Sequence, residues 1–167
     1  ISKTDVDAIT SLTAANNQNI TLTAATSAAL TNDVAQLNVS GTGTISVAGA
    51  SGQSFSLTAS ALDSYAAFEA TGNGNLTITA ATAADLSTDI NKLTVASGTI
   101  AISGADGQTL SISETDLLKI DTLTADADDD ITVTAATQAN LSGDIAKLTV
   151  SGSGAIAVNG ADTEDLS

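Results

Sequence analysis

The chain lacks most of the residues on which catalytic and metal chemistry usually depends. Its 167 residues include no cysteine, proline, methionine, tryptophan or histidine. The absence of cysteine excludes disulfides, thiolate nucleophiles, zinc–thiolate sites and iron–sulfur clusters. The absence of histidine removes the commonest general base and the commonest transition-metal ligand. Since a serine nucleophile needs a base, and one tyrosine and two phenylalanines make a poor sugar-binding platform, the sequence predicts a protein that is not an enzyme.

Positive charge is equally scarce. Four lysines and no arginine stand against 19 aspartates and glutamates, which gives a formal net charge of -15 and a pI near 4.1. Such a chain has little with which to neutralise phosphates, so no nucleic-acid partner is predicted and anionic membranes are poor partners. No apolar run approaches the roughly 20 residues of a membrane span, so no membrane insertion is predicted. Hydrophobic residues still make up 43% of the chain, which predicts a folded protein rather than a disordered polyanion.

The clearest positive signal is an internal repeat of about 55 residues. The run at Ile20–Thr26 recurs at Leu76–Thr82 and again at Ile131–Thr137, with offsets of 56 and 55 residues. A period of this length is typical of solenoids, propellers and other repeat arrays. Further residues recur at the same offsets, among them Asp33, Asp89 and Asp144, and Leu37, Leu93 and Leu148.

The repeat divides the chain into units of which the first and last are incomplete. Residues 1–19 form the second half of a truncated repeat, residues 20–75 and 76–130 form repeat units, and residues 131–167 form the first part of a further, truncated repeat. No unit carries the polar cap that a free-standing solenoid requires. We therefore expect these residues to belong to a longer array.

Local patterns predict the elements of each unit. Apolar and hydroxyl residues alternate as in half-buried strands over residues 20–23, 55–58, 76–79, 110–113 and 131–134. A helical pattern follows, in which Leu86, Ile90 and Leu93 share one face. Its natural N-caps are Thr26, Thr82 and Thr137. Ser113 is placed to cap a shorter helix over residues 113–120. Further strands are predicted over residues 37–39, 93–95 and 148–150, and over residues 44–47, 99–102 and 155–158.

This order of elements favours an α/β solenoid-like tandem repeat, built from short strand–helix–strand coils with mostly parallel strands. The absence of proline is compatible with uninterrupted backbone ladders between the coils. The alternative is an all-β repeat array in which the short helices are only loops.

The densest acidic cluster is the loop that contains Asp126, Asp128, Asp129 and Asp130. Several carboxylates within five residues are candidate ligands for Ca²⁺, a hard cation that takes six to eight oxygen ligands. Possible Ca²⁺ is the one cofactor that the sequence suggests. The equivalent positions carry asparagine elsewhere, at Asn17, Asn19, Asn73 and Asn75. A structural turn is therefore the alternative interpretation, because Asn and Asp tolerate a left-handed backbone and form Asx-turns.

Two further patterns have both a structural and a functional interpretation. The recurring Asp33, Asp89 and Asp144 are expected to lie on a solvated helix face, and in stacked units they would instead form a carboxylate row bridged by divalent cations. The Thr-x-Thr strands, such as Thr21 and Thr23, suggest a hydroxyl face, which resembles the ice-binding face of insect-type and some bacterial solenoids. Threonine is also the polar residue best suited to the outer face of a strand.

The whole chain resembles a known type of protein. The runs Leu76–Thr82, Lys92–Gly98 and Ile100–Gly107 are similar to the Ala-, Ser-, Thr-, Gly- and Asp-rich repeats of bacterial surface-layer proteins and large secreted adhesins. The resemblance implies an extracellular protein at the bacterial cell surface that associates with itself. We therefore expect a structural repeat segment of a surface-layer protein, adhesin or filament, acting by self-association and mechanical extension. A calcium-binding module, or a module that binds ice or glycan through its hydroxyl face, is the alternative.

Overall fold

The computed structural model describes residues 1–126, 128–162 and 165. In that part of the chain, short helices connect short strands, and the fold is α/β. The strands are β1 (Leu12–Ala14), β2 (Ile20–Ala25), β3 (Leu37–Val39), β4 (Ile45–Gly49), β5 (Phe55–Thr58), β6 (Ala67–Ala70), β7 (Leu76–Ala81), β8 (Leu93–Val95), β9 (Ile100–Gly104), β10 (Leu110–Ser113), β11 (Thr122–Ala125), β12 (Ile131–Ala136), β13 (Leu148–Val150) and β14 (Ile156–Gly160). The helices are α1 (Lys3–Val6), α2 (Leu30–Ala35), α3 (Ala59–Leu62), α4 (Leu86–Lys92), α5 (Glu114–Leu117) and α6 (Leu141–Ala146).

The chain divides into two compact units. The first comprises Ile1–Ser56, Ala61–Leu76 and Lys92–Thr99, and the second comprises Leu57–Ser60, Thr77–Asn91 and Ile100–Ser167. The first unit holds a sheet of order β1–β3 and a sheet of order β2–β4–β6–β8. The second unit holds a sheet of order β10–β12–β14, and the remaining sheet has the order β5–β7–β9–β11–β13.

Each paired strand lies beside the strand two places away in the chain, and the pairs are parallel, as the sequence predicts. The paired residues are 25 positions apart in Ile20–Ile45 and in Ile131–Ile156, and 21 apart in Ser46–Ala67. Each repeat contributes five strands, an odd number, so equivalent strands of consecutive repeats alternate between even and odd places. Strand β2 consequently belongs to one sheet and its equivalent β7 to another.

Alternating side chains explain why the predicted strands form. In β2, Ile20, Leu22 and Ala25 are buried while the two threonines between them face outward. A strand with one apolar and one polar face buries the apolar one, because side chains alternate across the pleat. The prediction is confirmed for β2, β3, β5, β7, β8, β10, β12 and β13, with β2, β7 and β12 two residues longer than expected. The third predicted strand of each unit is shifted by one or two residues, at β4, β9 and β14.

A left-handed alanine near the end of the long strands produces the extra length. Ala24, Ala80 and Ala135 occupy equivalent positions and have φ values of 55, 55 and 56°. The pairing register shifts around two of them, between Leu22 and Ala25 and between Val133 and Ala136. A single left-handed residue in one strand is the geometry of a β-bulge, which bends the strand and ends its regular pairing.

The helices after the long strands begin later than the sequence predicts. Helices α2, α4 and α6 begin at leucine, four residues after the threonines expected to cap them. The residues before α2 and α6 are Ala29 and Asn140, and neither makes a side-chain cap. For Thr26 the prediction is wrong, because Thr26 opens a preceding turn in which its carbonyl accepts from the amides of Ala29 and Leu30. For Thr137 it is wrong as well, since its hydroxyl donates to Glu114. Thr82 makes the predicted type of bond, because its Oγ1 accepts from the amide of Asp85 at 3.3 Å, although α4 itself begins at Leu86. Ser113 does cap the short helix α5, by accepting from the amide of Asp116 at 3.2 Å.

The three aromatic rings form a cluster in the first unit. Phe68 is fully buried and meets Phe55 and Tyr65 edge to face, with centroids 5.1 and 5.4 Å apart. Edge-to-face pairs at this distance contribute about 0.5–1.5 kcal/mol beyond the burial of their area. The core of the second unit is built from leucine, isoleucine, valine and alanine instead.

Candidate functional site

The carboxylates of the acidic loop accept hydrogen bonds from backbone amides of neighbouring strands and turns. Asp128 Oδ1 accepts from the amide of Ser153 at 2.9 Å and from its hydroxyl at 3.0 Å, and these bonds hold the pKa of Asp128 below its usual value. Asp130 Oδ1 accepts from the amide of Ala155 at 2.7 Å. A hydrogen bond from an amide to an ionised oxygen is stronger than one to a neutral oxygen. These carboxylates therefore hold the loop against the turn that precedes β14.

The other two members of the predicted set point elsewhere. Asp129 Oδ2 accepts from the amide of Gln108 at 2.9 Å, in the turn between β9 and β10. Asp126 is exposed, and its carbonyl accepts from the amide of Asp129 at 2.9 Å. Ala127, between them, lies outside the described residues. The structure therefore brings the four aspartates into one turn, and three of them each hold a different backbone amide.

Asparagines at the equivalent positions make the same bonds. Asn17 Oδ1 accepts from Thr42 at 2.8 Å and Asn19 Oδ1 from Thr44 at 2.9 Å, both through the backbone amide. Asn75 Oδ1 accepts from the amide of Thr99 at 2.9 Å. A neutral amide oxygen can accept the same bond as a carboxylate oxygen, so the shared role of these positions is to hold one turn against the next.

The geometry gives the calcium prediction no set of convergent ligands. Among residues 1–126, 128–162 and 165 there is no group of three or more Asp, Glu, His or Cys side chains arranged to hold a metal ion. Ca²⁺ binding by Asp126, Asp128, Asp129 and Asp130 stays a prediction.

The aspartates expected on a solvated helix face are buried. Asp33, Asp89 and Asp144 are 2, 1 and 2% exposed. The expectation was wrong for a reason that helical periodicity does not reveal: residues 26 to 30 positions earlier in the chain lie near two of these side chains, Lys3 and Asp7 near Asp33 and Glu114 near Asp144. Asp33 and Asp144 each keep a buried Oδ2 that has no hydrogen-bond partner among the described residues.

Burial raises the pKa of two of these aspartates. For Asp33, loss of solvent raises the pKa, Lys3 lowers it and Asp7 raises it. For Asp144, loss of solvent is again the largest cause, and the charge of Glu114 adds to it while Lys147 opposes it. A raised pKa means that folding favours the protonated form of the group.

Asp144 lies against a second buried carboxyl. Glu114 is 7% exposed, and its Oε1 accepts from Thr137 Oγ1 and from Asn140 Nδ2, both at 2.7 Å. These two bonds lower the pKa of Glu114, and a carboxyl–carboxylate hydrogen bond with Asp144 acts in the same direction. The pair therefore favours a state in which Glu114 is ionised and Asp144 carries the proton.

A neighbouring acid shows what full pairing achieves. Asp116 is 8% exposed, and burial tends to raise its pKa. It accepts from Ser87 Oγ at 2.7 Å, from Lys119 Nζ at 2.8 Å and from Ser113 Oγ at 3.2 Å. These partners outweigh the burial, so the pKa of Asp116 is lowered. The ionised form of Asp116 is thus satisfied where that of Asp144 is not.

One recurring contact, which the sequence did not suggest, is made at the C-terminal ends of the short helices. The Gln36 amide nitrogen, turned toward α1, donates to the carbonyls of Val6 at 2.9 Å and Ile9 at 3.0 Å. At the equivalent position, Lys147 Nζ donates to the carbonyl of Leu117 at 2.9 Å. Both residues add a side-chain donor to the end of a short helix, where the carbonyls of Val6 and Leu117 also accept from the amides of Ile9 and Ile120. The only sequence signal is that positions 36, 92 and 147, one repeat apart, carry long polar side chains.

The predicted hydroxyl face is interrupted. In the four-stranded sheet, Thr21 pairs with Ser46, but Ser46 pairs in turn with Ala67. The second threonine of the motif uses its hydroxyl internally in two cases, since Thr79 Oγ1 and Thr134 Oγ1 donate to the carbonyls of Leu57 in β5 and Ile112 in β10, both at 3.4 Å. Binding of ice or glycan through this face stays a prediction.

A shallow depression of about 260 Å³ lies in the first unit, lined by Val39, Gly43, Thr44, Ile45 and residues 63–66. Its titratable side chains are Asp63 and Tyr65. Asp63 Oδ1 forms an ion pair with Lys92 Nζ at 3.0 Å. Burial raises the pKa of Tyr65, so its phenol stays protonated over the physiological range.

Within the described residues, no helix is both long enough and apolar enough to cross a membrane. Comparison with known protein families gave no match, and neither the curated proteins nor the solved structures gave a significant one. The argument for function therefore depends on the contacts themselves.

Proposed function

We propose that the chain is a segment of a parallel solenoid, and that it serves as an extracellular structural repeat of a surface-layer protein, adhesin or filament. One observation carries the proposal. Strands pair with strands two places away, and the 25-residue offset of Ile20–Ile45 recurs in Ile131–Ile156 two repeats later. A fold made by repeating one pairing rule gains its stability from neighbouring layers, and such a fold extends by adding layers.

The side-chain bonds support the same proposal. The most regular polar contacts are those of Asn17, Asn19, Asn75, Asp128 and Asp130, each to an amide 24 or 25 residues later. These contacts join one turn to the next rather than line a cavity. The buried carboxyls Asp144 and Glu114 lie against each other, on the short helices α6 and α5. This distribution of polar groups suits a load-bearing array better than an enzyme.

The resemblance to bacterial surface repeats and the acidic composition support an extracellular location. A protein with no cysteine, methionine or tryptophan offers few groups that oxidise. We propose that it is secreted and displayed at the bacterial cell surface.

Two measurements test the proposal. An antibody against the chain should label intact, unpermeabilised cells that produce it, and labelling that requires permeabilisation would overturn the extracellular role. In single-molecule pulling between the two termini, the chain should lengthen in several small steps as strands detach in order. One abrupt extension of the entire chain would contradict the layered mechanical role.

A further inference from the structure

Asn73 differs from the residues at the equivalent positions of the other repeats, because nothing holds its side chain. Its equivalents Asn17 and Asp128 each accept from a backbone amide 25 residues later, at Thr42 and Ser153. Among the described residues, the carboxamide of Asn73 has no hydrogen-bond partner, and the side chain is exposed. Its amide group is therefore free to move and open to water.

A shorter turn in the middle of the chain explains the difference. Five residues, 40–44 and 151–155, separate β3 from β4 and β13 from β14, whereas only four, 96–99, separate β8 from β9. In the shorter turn the amide of Ser97 donates to the carbonyl of Gly72 at 3.1 Å. The bond that Asn17 makes to Thr42 consequently has no counterpart at Asn73.

The residue after Asn73 is a glycine, and the two lie in a tight turn. The amide of Gly74 donates to the carbonyl of Thr71 at 3.2 Å, and Gly72 has a φ of 61°. A glycine in this place leaves its main-chain nitrogen open to the asparagine side chain, because it has no Cβ to shield the nitrogen and its backbone rotates easily. The second Asn-Gly pair, Asn159–Gly160, lies instead in β14, where pairing with β12 keeps the backbone extended.

We propose that Asn73 is a site of spontaneous deamidation. The main-chain nitrogen of Gly74 loses its proton to hydroxide as the turn opens and attacks Asn73 Cγ, and the bond from Cγ to the side-chain nitrogen breaks. That nitrogen takes a proton from water and leaves as ammonia, which leaves a succinimide ring. Water then adds to one of the two ring carbonyls and gives aspartate or isoaspartate. The net reaction consumes water, releases ammonia and adds a negative charge to the turn.

The two products differ in how well the turn accommodates them. Aspartate leaves the main chain unchanged, and the third repeat already carries Asp128 at this position. Isoaspartate lengthens the main chain by one carbon between residues 73 and 74. Gly74 is buried, and a Cβ on it would overlap the carbonyl oxygen of Gln53, so this residue has no room to shift. We therefore expect the isoaspartate form to melt at a lower temperature than the aspartate form.

Site-resolved mass spectrometry of the folded chain tests the proposal. After incubation at pH 7.5 and 37 °C and digestion with pepsin at acid pH, fragments that contain residue 73 should gain about 1 Da with time. The gain should be faster at higher pH, because the attacking nitrogen must lose a proton. Asn75 is the internal control, since its Oδ1 accepts from the amide of Thr99 at 2.9 Å and leucine follows it. An unchanged Asn73 would overturn the proposal, as would conversion at Asn75 or Asn159 to the same extent.

A turn replacement tests the structural cause. Replacing residues 96–98 by the sequence of residues 40–43 restores the turn length of the other repeats and offers Asn73 an amide partner. Conversion should then slow about fivefold, the population ratio that one hydrogen bond maintains. Asn73→Ser, which keeps the short turn, should abolish the mass gain of the same fragments. A turn variant that keeps the circular dichroism and melting temperature of the parent but converts at the parental rate would show that the missing bond is not the cause. The reaction needs no partner, so each result is independent of the proposed cell-surface role.

Discussion

At the scale of single residues, the structure separates acids that act as acceptors from acids that resist ionisation. Asp128 and Asp130 hold backbone amides, whereas Asp144 is 2% exposed with one oxygen lacking a partner. The repeat identifies the positions equivalent to each of these aspartates but says nothing about their surroundings. Their environments depend on segments about 25 to 30 residues away, which no local pattern describes.

Replacement of Asp144 by asparagine should remove a pH-dependent loss of stability. The folded pKa of Asp144 lies above its unfolded value, mainly through burial and then through the charge of Glu114. Protonated Asp144 therefore favours folding below the unfolded pKa of about 3.9, and this advantage is lost as pH rises through the folded pKa. Asp144→Asn mimics the protonated form, so we expect its unfolding free energy at pH 7.5 to exceed that of the parent by about 1 kcal/mol.

Urea unfolding between pH 3.5 and 7.5 measures this effect. Asp162→Asn, at an exposed aspartate, is the control for the general change in charge. It should leave the dependence of the unfolding free energy on pH nearly unchanged. A variant Asp144→Asn that is less stable than the parent at pH 7.5 would contradict the raised pKa.

Substitutions of Asp130 distinguish a turn from a metal site. Because Asn19 and Asn75 make the same bond from equivalent positions, Asp130→Asn should retain the stability of the parent. Asp130→Ala leaves the amide of Ala155 without its acceptor and should cost about 1 kcal/mol. Thermal melts with and without Ca²⁺ and chelator complete the test. A calcium-dependent rise in melting temperature that Asp130→Asn abolishes would establish the metal site in place of the turn.

At the scale of elements, patterns that repeat within a few residues were predictable and those that depend on partners were not. The strict alternation in β2, β7 and β12 predicted these strands, and Ser113 predicted the cap of α5. Strands β1, β6 and β11 were missed, because three or four residues such as Ala67–Ala70 form a strand only when a neighbouring strand supplies the pairing. The late helix starts followed from turns that the cap rule did not anticipate.

The bulge alanines provide a test of strain within an element. Ala80 has a φ of 55°, a conformation that costs an L-residue roughly 1–2 kcal/mol. Ala80→Gly removes that cost but adds roughly 0.5–1 kcal/mol of chain entropy, so a gain of about 0.5 kcal/mol is expected. Ala80→Val should lose about 2 kcal/mol or more, because a branched side chain tolerates this region poorly. Chemical unfolding of the parent and the two variants checks this order of stability. A valine variant as stable as the glycine variant would show that residue 80 does not keep its left-handed conformation.

At the scale of the whole molecule, the repeat period was evident in the sequence, but the pairing rule was not. The similar runs Ile20–Thr26 and Leu76–Thr82 mark equivalent strands one repeat apart. The structure places these strands, β2 and β7, in different sheets. The period is a number of residues, whereas pairing depends on the number of strands in a repeat. Because β1, β6 and β11 were not predicted, the sequence analysis gave an even number of strands per repeat where the structure has an odd number.

A single repeat should not fold alone. The repeat over residues 20–75 contains β6 and its partner β4, but the second partner of β6 is β8 at Leu93–Val95, in the next repeat. We expect the isolated fragment 20–75 to show no cooperative thermal transition by circular dichroism, whereas the entire chain melts cooperatively. A fragment that melts at the temperature of the entire chain would show that the repeats are self-sufficient.

The odd number of strands in a repeat has a consequence for how such a chain changes over time. Duplication of one repeat shifts every later copy from even to odd strand places, so two duplications are needed before a given residue returns to a strand of the same parity. Gain or loss of a single strand would exchange the surroundings of all residues beyond it. Insertions confined to loops leave the parity untouched and should be the length changes that such arrays tolerate best.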